Sequence, residues 1–176
     1  MPVDLSEYEE AAERYAPSET RVLFVAESPP ASIDRYFYYP DVREHDQLWL
    51  GMMKALYRRE FGEARDERPH KHFWLKRFQA DGYRLIDAVK EPGPTAVEAI
   101  RGNAARVIDE IQEVDPQQVV LIKATVYDGL FNILKHADIP VVNQGKLPFP
   151  GSGQQRNFRD RFRELVESGR LRLTRC

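Results

Sequence analysis

Hydrophobic and polar positions alternate along the chain in two ways, and the change between them predicts an α/β fold. Short apolar runs bounded by turn residues predict strands at residues 21–26, 83–88, 118–123 and 139–142. Apolar residues at three- and four-residue spacing predict helices at residues 4–15, 46–60, 71–80, 95–114, 125–137 and after residue 153. Strands that alternate with helices form a mainly parallel sheet. We therefore expect one domain, residues 1–176, built as a three-layer α/β sandwich with about four strands flanked by helices.

The first two predicted strands each end in an acid, Glu27 and Asp87. A carboxylate at the end of a buried strand costs free energy unless it is paired, solvated or used. Two prolines follow Glu27 closely and stiffen its turn. Ligands of open parallel sheets bind beyond the carboxyl ends of the strands. We therefore expect Glu27 and Asp87 around one cleft with Thr125 and Ser152, which follow later strands.

Two interpretations of this acid pair remain open. Two carboxylates at the opening of one cleft can have different roles, one as a general base and the other as a group that recognises the ligand. They can equally be structural, by accepting hydrogen bonds from nearby amides or by pairing with Arg35 or Lys90.

Composition and motifs narrow the classes of protein. The chain is 42% hydrophobic and 31% charged, has no apolar run long enough to span a membrane and opens without a signal peptide. We expect a cytoplasmic protein without a membrane partner and take it as a monomer. The single cysteine, Cys176, excludes an intrachain disulfide. His70 and His72 have the spacing of a metal pair but lack a third ligand nearby, so we predict no metal and no cofactor.

The net charge of −2 is unevenly distributed. Residues 1–20 carry six acids against one base, whereas residues 143–176 carry eight bases against three acids. A basic C-terminal segment can bind phosphate, but such charge is also typical of a solvated helix face.

Four segments at the ends of the predicted strands follow one another along the chain: "VLFVAESPP", "LIDAVKEPGP", "VVLIKATVYDGL" and "LPFPGSGQQRNF". In this order and spacing they resemble the motifs of the uracil-DNA glycosylase superfamily, and most of all its iron–sulfur-bearing bacterial and archaeal branch. The corresponding motifs of that branch read GEAPG, NVVKCRPP, LLGATA and HPS. The resemblance spans roughly residues 20–166. It implies a uracil-DNA glycosylase-like fold, DNA as the partner, and hydrolysis of the N-glycosidic bond of a damaged or deaminated base flipped from the stack.

The resemblance also implies roles for individual residues. Glu27 aligns with the acid that polarises water near the sugar carbon, and Ser28 follows it in the same catalytic turn. The expected base-binding residues are Phe37, Asp87, Thr125 and Phe149. The expected DNA-binding residues lie in the "PGSG" turn and the helix after it: Gly151, Ser152, Gly153, Gln154, Arg156 and Arg159.

Three departures from the family pattern change what is expected. Glu91 stands at the position of a cluster cysteine, so no iron–sulfur cluster is expected. Phe149 replaces the histidine that stabilises the departing base. Asp87 replaces the asparagine that reads uracil, and an ionised aspartate only accepts hydrogen bonds. Because O4 of uracil is also an acceptor, either Asp87 is protonated or the preferred base carries a donor on that edge.

Two rival functions remain beside the glycosylase. One is a non-catalytic module of the same fold that binds a nucleotide or nucleic acid, which Phe149 favours. The other is an enzyme acting on a free nucleoside or base, which would not need a basic C-terminal helix.

Overall fold

A computed structural model describes residues 4–42 and 45–174 of the chain. Its helices are α1 (Leu5–Arg14), α2 (Gln47–Leu56), α3 (Ala64–Glu67), α4 (Lys71–Ala80), α5 (Val97–Gly102), α6 (Ala104–Val114), α7 (Ala124–His136) and α8 (Gln155–Glu167), and its strands are β1 (Val22–Ala26), β2 (Tyr83–Asp87) and β3 (Gln118–Leu121). Short 3-10 turns occupy Ile33–Arg35 and Arg68–His70. The helix predicted at residues 71–80 is confirmed, whereas the one predicted at residues 95–114 is divided at Asn103 into α5 and α6.

The strands form a parallel sheet in the order β2-β1-β3. In this register Ala26, at the end of β1, lies beside Asp87, at the end of β2. The ladder continues past both strands, because the N–H of Ala88 donates to Ala26 O at 2.8 Å and the N–H of Val89 donates to Glu27 O at 2.9 Å. The prediction that Glu27 and Asp87 end adjacent strands is therefore confirmed.

The fourth predicted strand, at residues 139–142, is reduced to one parallel bridge between Val141 and Val119. The reason is the side chain of Asn143. Its Oδ1 accepts from the N–H of Leu121 at 3.0 Å, and its Nδ2 donates to Leu121 O at 3.0 Å. This amide takes the backbone groups that a longer fourth strand would pair with, so the sheet of the described residues has three strands rather than about four.

Helices cover both faces of the sheet. The side chains of β1 alternate between the faces, as a strand requires, so Phe24 joins one apolar cluster and Val25 the other. The first cluster contains residues of α1, α2, α4 and α8, and the second contains residues of α5, α6 and α7. The protein is therefore an α/β fold with a parallel sheet flanked by helices. Among the described residues, no helix combines the length and apolar character that crossing a membrane requires.

The aromatic run that follows the first 3-10 turn is mostly core. Tyr36, Phe37 and Tyr38 are 5%, 3% and 1% exposed, and Tyr39 is the member that remains half-buried. The Tyr38 hydroxyl donates to the backbone oxygen of Leu85 at 3.1 Å and accepts from the N–H of Leu85 at 2.7 Å. These two hydrogen bonds attach the run to the outer edge of β2.

Candidate functional site

A pocket of about 350 Å³ lies at the carboxyl edge of the sheet. The ends of β1 and β2 and the residues after β3 line it, together with the loop over residues 28–37 and Phe149. Its volume lies within the range of small-ligand sites. Five residues singled out in the sequence meet around it: Glu27, Ser28, Phe37, Asp87 and Phe149.

Glu27 is the most firmly held polar side chain of this pocket. It is 8% exposed. Its Oε2 accepts a hydrogen bond from the hydroxyl of Thr125 at 2.5 Å and lies 2.8 Å from Nζ of Lys123. The backbone N–H of Thr95 donates to its Oε1 at 3.4 Å. Charge-assisted contacts of this kind fix a carboxylate in one orientation, which suits a group that must meet a reacting atom at a set distance.

The turn that carries Glu27 is tied down on both sides. The Ser28 hydroxyl donates to Gly93 O at 2.6 Å, and the N–H of Gly93 donates to Pro29 O at 2.9 Å. From the first helix layer, the hydroxyl of Tyr8 donates to Pro30 O at 2.8 Å. The hydroxyl proton of Ser28 is therefore used to brace the turn, beside the catalytic role that the sequence suggests for this residue.

Asp87 forms part of two cavities. It lines the 350 Å³ pocket, and it also lines a cleft of about 860 Å³ between α1, β2 and α6. Its side chain is 5% exposed overall. Burial raises the pKa of Asp87 from 3.8 to about 7, with Lys90 lowering the pKa and Glu110 raising it as smaller effects. Both protonation states are therefore populated near neutral pH, and Asp87 is either a donor or an acceptor there.

Aromatic rings close the pocket on two sides. Phe37 is 3% exposed and packs edge-on against Phe78, with ring centroids 5.2 Å apart, so only part of its ring faces the cavity. Phe149 is 37% exposed. The Nζ of Lys123 lies 5.8 Å from the centroid of the Phe149 ring. The mouth therefore combines an apolar ring with a cation.

The end of β3 supplies the two groups that hold Glu27. Thr125, expected to contact a base, lies in the first turn of α7, where its hydroxyl donates to Glu27. Lys123 follows β3 with φ 84° and ψ 143°, a backbone region that only glycine adopts easily. A non-glycine residue in such a region costs about 1–3 kcal/mol. The sequence did not indicate a role for Lys123, because no sequence signal predicts a positive φ at a lysine.

Most of the residues predicted to contact DNA lie in an exposed turn and the helix α8 after it, but Gly151 is buried and its N–H donates to Phe149 O at 2.9 Å. Ser152 and Gly153 both have positive φ, 49° and 81°, which gives the turn its shape. The first turn of α8 has no side-chain cap from its N-cap residue, Gln154. Arg156 and Arg159 are exposed on that helix. The Nε of Arg156 lies 3.8 Å from Asp160, an exposed pair of little energy.

The base of this turn packs tightly on α2. A Cβ added to Gly51 would lie 2.4 Å from Cβ of Pro150, far inside contact distance. We therefore expect Gly51→Ala to lower the free energy of unfolding by about 1–3 kcal/mol through overpacking, measured by urea denaturation. Gly102→Ala is the control, because nothing lies within 4 Å of its added Cβ and alanine favours a helix. Equal stability of the two variants would contradict the contact with Pro150.

The fold and the pocket together define an α/β protein in which the carboxylate of Glu27 is held by Lys123 and Thr125 at the carboxyl edge of a parallel sheet. No protein-family model matches the chain, and no curated protein matches it at a significant level. Among the residues at 4–42 and 45–174, no group of three or more His, Cys, Asp or Glu side chains is placed to hold a metal ion. His72 instead makes a hydrogen bond through Nδ1 with the hydroxyl of Tyr15 at 2.7 Å.

Proposed function

We propose that this protein is a divergent member of the uracil-DNA glycosylase superfamily that binds DNA and hydrolyses the N-glycosidic bond of an extruded base. The observation that carries the proposal is the pocket in which Glu27 is fixed by Lys123 and Thr125 while Asp87 lies buried on the neighbouring strand. A recognition group and a water-activating acid in one small cavity are what excision of a single base requires.

In the proposed reaction Glu27 takes a proton from the attacking water and stabilises positive charge on the sugar. The water oxygen forms a bond to C1′ as the bond from C1′ to the base nitrogen breaks. The electron pair of that bond leaves with the base. Such transition states resemble an oxocarbenium ion, so a fixed carboxylate beside the sugar lowers the barrier. Phe37 and Phe149 supply apolar surface to the extruded base.

The DNA surface is proposed at the exposed turn of Ser152 and Gly153 and at the start of α8. Glycine lets the backbone approach a phosphate closely, and N–H groups at a helix start attract anions. Exposed arginines on α8 supply the charge that a duplex requires.

Neutralising two of these arginines tests the surface. The double variant Arg156→Gln with Arg159→Gln is expected to bind duplex DNA more weakly, with the slope of log affinity against log salt flatter by roughly two units. Fluorescence anisotropy at several salt concentrations measures the slope. The control double variant, Arg65→Gln with Arg101→Gln, removes the same charge from exposed positions on α3 and α5 and keeps the native slope. A native slope in the α8 variant would place the DNA surface elsewhere.

A second candidate, a non-catalytic module that binds a nucleotide or nucleic acid, is favoured by Phe149. A phenylalanine at the mouth offers stacking but no proton and no charge to a departing base. The two candidates differ in product release. Duplexes that carry uracil, hypoxanthine, xanthine or alkylated bases are incubated with the protein, and free base is measured by chromatography. Release of any of them supports the glycosylase, and tight binding without release supports the module.

A further inference from the structure

We infer that Lys123 is a catalytic group of this pocket, whose ammonium stabilises the negative charge that develops on the departing base. The inference rests on the proposed glycosidic-bond cleavage. It assigns to Lys123 the stabilisation of the departing base, for which Phe149 has no charged or proton-donating atom. It starts from the backbone of Lys123, which adopts φ 84° and ψ 143° between β3 and α7. Strained non-glycine residues of this kind persist at functional sites, where the surrounding structure imposes them.

The surroundings of Lys123 hold it in that conformation. Its backbone N–H donates to Leu147 O at 2.8 Å, and the N–H of Tyr127, one turn into α7, donates to its carbonyl oxygen at 3.1 Å. Since both backbone groups are bonded, the direction in which the side chain leaves the main chain is fixed. A glycine would meet the same backbone requirement without strain, but it would bring no charge to the pocket.

The side chain reaches the reacting region. Nζ lies 2.8 Å from Oε2 of Glu27 and 5.8 Å from the ring centroid of Phe149, and Lys123 is one of the residues that line the pocket. The side chain keeps 39% of its surface exposed, so part of it is accessible from the pocket while Nζ remains paired with Glu27. The ammonium is therefore close both to the acid that acts at the sugar and to the ring at the mouth.

This arrangement matches the charge separation of the proposed reaction. As the glycosidic bond breaks, the sugar becomes positive and the base becomes negative. Glu27 supplies negative charge to the sugar, and Lys123 supplies positive charge to the base. Fixed charges aimed at developing charges need no rearrangement during the reaction. A lysine that only neutralised Glu27 would not respond to the nature of the departing base.

Leaving-group dependence separates the two roles. Single-turnover rates of base release are measured for native protein and for Lys123→Met on two matched pairs of duplex oligonucleotides, uracil with 5-fluorouracil and hypoxanthine with xanthine. The second base of each pair is the more acidic and leaves more readily as an anion. We expect Lys123→Met to slow release of uracil or hypoxanthine by roughly 10²- to 10³-fold. The loss for the more acidic partner is expected to be at least tenfold smaller, and Lys123→Arg is expected to restore most of the rate.

Two further variants keep the test decisive. Lys123→Gly removes the charge and the backbone strain together, so it replaces Lys123→Met if that variant unfolds, and it is expected to show the same leaving-group dependence. Lys146→Met removes a lysine that pairs with Asp128 at 3.1 Å and is expected to keep the native rates. Equal losses for both bases of a pair overturn the inference and leave the glycosylase proposal standing. If the native protein releases none of the four bases, this inference falls, and the proposed function falls with it only if no alkylated base is released either.

Discussion

Glu27→Gln is expected to lower the single-turnover rate of base release by roughly 10²- to 10⁴-fold. Glutamine keeps the shape of the side chain but neither takes a proton from water nor stabilises a positive sugar. Its amide oxygen can still accept from the N–H of Thr95, and its amide nitrogen can donate to the hydroxyl oxygen of Thr125, which donates to the carboxylate in the native protein. The rate is measured on the duplex that the native protein processes fastest. Thermal unfolding is recorded beside it, and we expect only a small change because Lys123 is exposed enough to be solvated without its partner.

Glu7→Gln provides the matched control for this substitution. Glu7 is exposed in the first turn of α1 and takes no part in the pocket. It should leave both the rate and the duplex affinity at native values. Native rates in Glu27→Gln would move the activation of water to another group and remove the central role proposed for this carboxylate.

The choice of base is expected to depend on pH through Asp87. Below pH 7 the carboxyl is mostly protonated and can donate to O4 of uracil, whereas above pH 7 it is ionised and accepts from an amino group that stands in place of O4, as in a cytosine-like base such as 5-methylcytosine. Two acceptors held together in a buried site cost about 1–3 kcal/mol, so the ratio of uracil release to 5-methylcytosine release should fall ten- to a hundredfold as the pH rises through about 7. Using a ratio removes the titration of other groups that act equally on both bases.

Asp87→Asn is the variant that decides this prediction. An asparagine does not titrate, so the ratio should become flat with pH and should favour uracil. A native protein whose ratio is already flat would show that Asp87 does not read the base. It would then favour the structural interpretation, in which this acid only pairs with groups such as Lys90.

The same raised pKa gives a stability measurement. The folded protein holds a proton on Asp87 up to about pH 7, whereas the unfolded chain loses it near pH 3.8. Below pH 3.8 Asp87 is protonated in both states, so its ionisation does not lower the free energy of unfolding. As the pH rises from 3.8 towards 7 only the unfolded chain ionises, and the free energy of unfolding falls by up to about 4 kcal/mol. Urea denaturation between pH 4 and pH 8 should show a smaller decline with pH for Asp87→Asn than for the native protein.

Much of this site could be predicted because it depends on where strands end. An apolar run that stops at an acid gives both the strand and the carboxylate, and two adjacent parallel strands must bring Glu27 and Asp87 to one edge. The same reasoning placed Phe149 and the turn after it near that edge. The helix of residues 71–80 was predicted with its observed bounds because its apolar positions and flanking turns agree.

The rest depends on tertiary contacts that no local pattern encodes. A fourth strand was expected because residues 139–142 are apolar, but the amide of Asn143 takes the backbone groups of Leu121. The hydrogen bond from the hydroxyl of Thr125 to Glu27 joins residues that are far apart in the sequence, so no local pattern indicates it. The protonation state of Asp87 depends on how deeply it is buried, which the sequence does not state.

The hydroxyl of Tyr38 also bears on self-association. β2 is an edge strand of the sheet, and edge strands carry unpaired backbone groups that can form hydrogen bonds with a strand of another chain. Tyr38 takes both the N–H and the carbonyl of Leu85, which therefore point away from β1. The aromatic loop that forms one wall of the pocket thus also shields the sheet from edge-to-edge aggregation. Remodelling this loop to alter base selection would consequently carry a cost in solubility, even in variants whose pocket is intact.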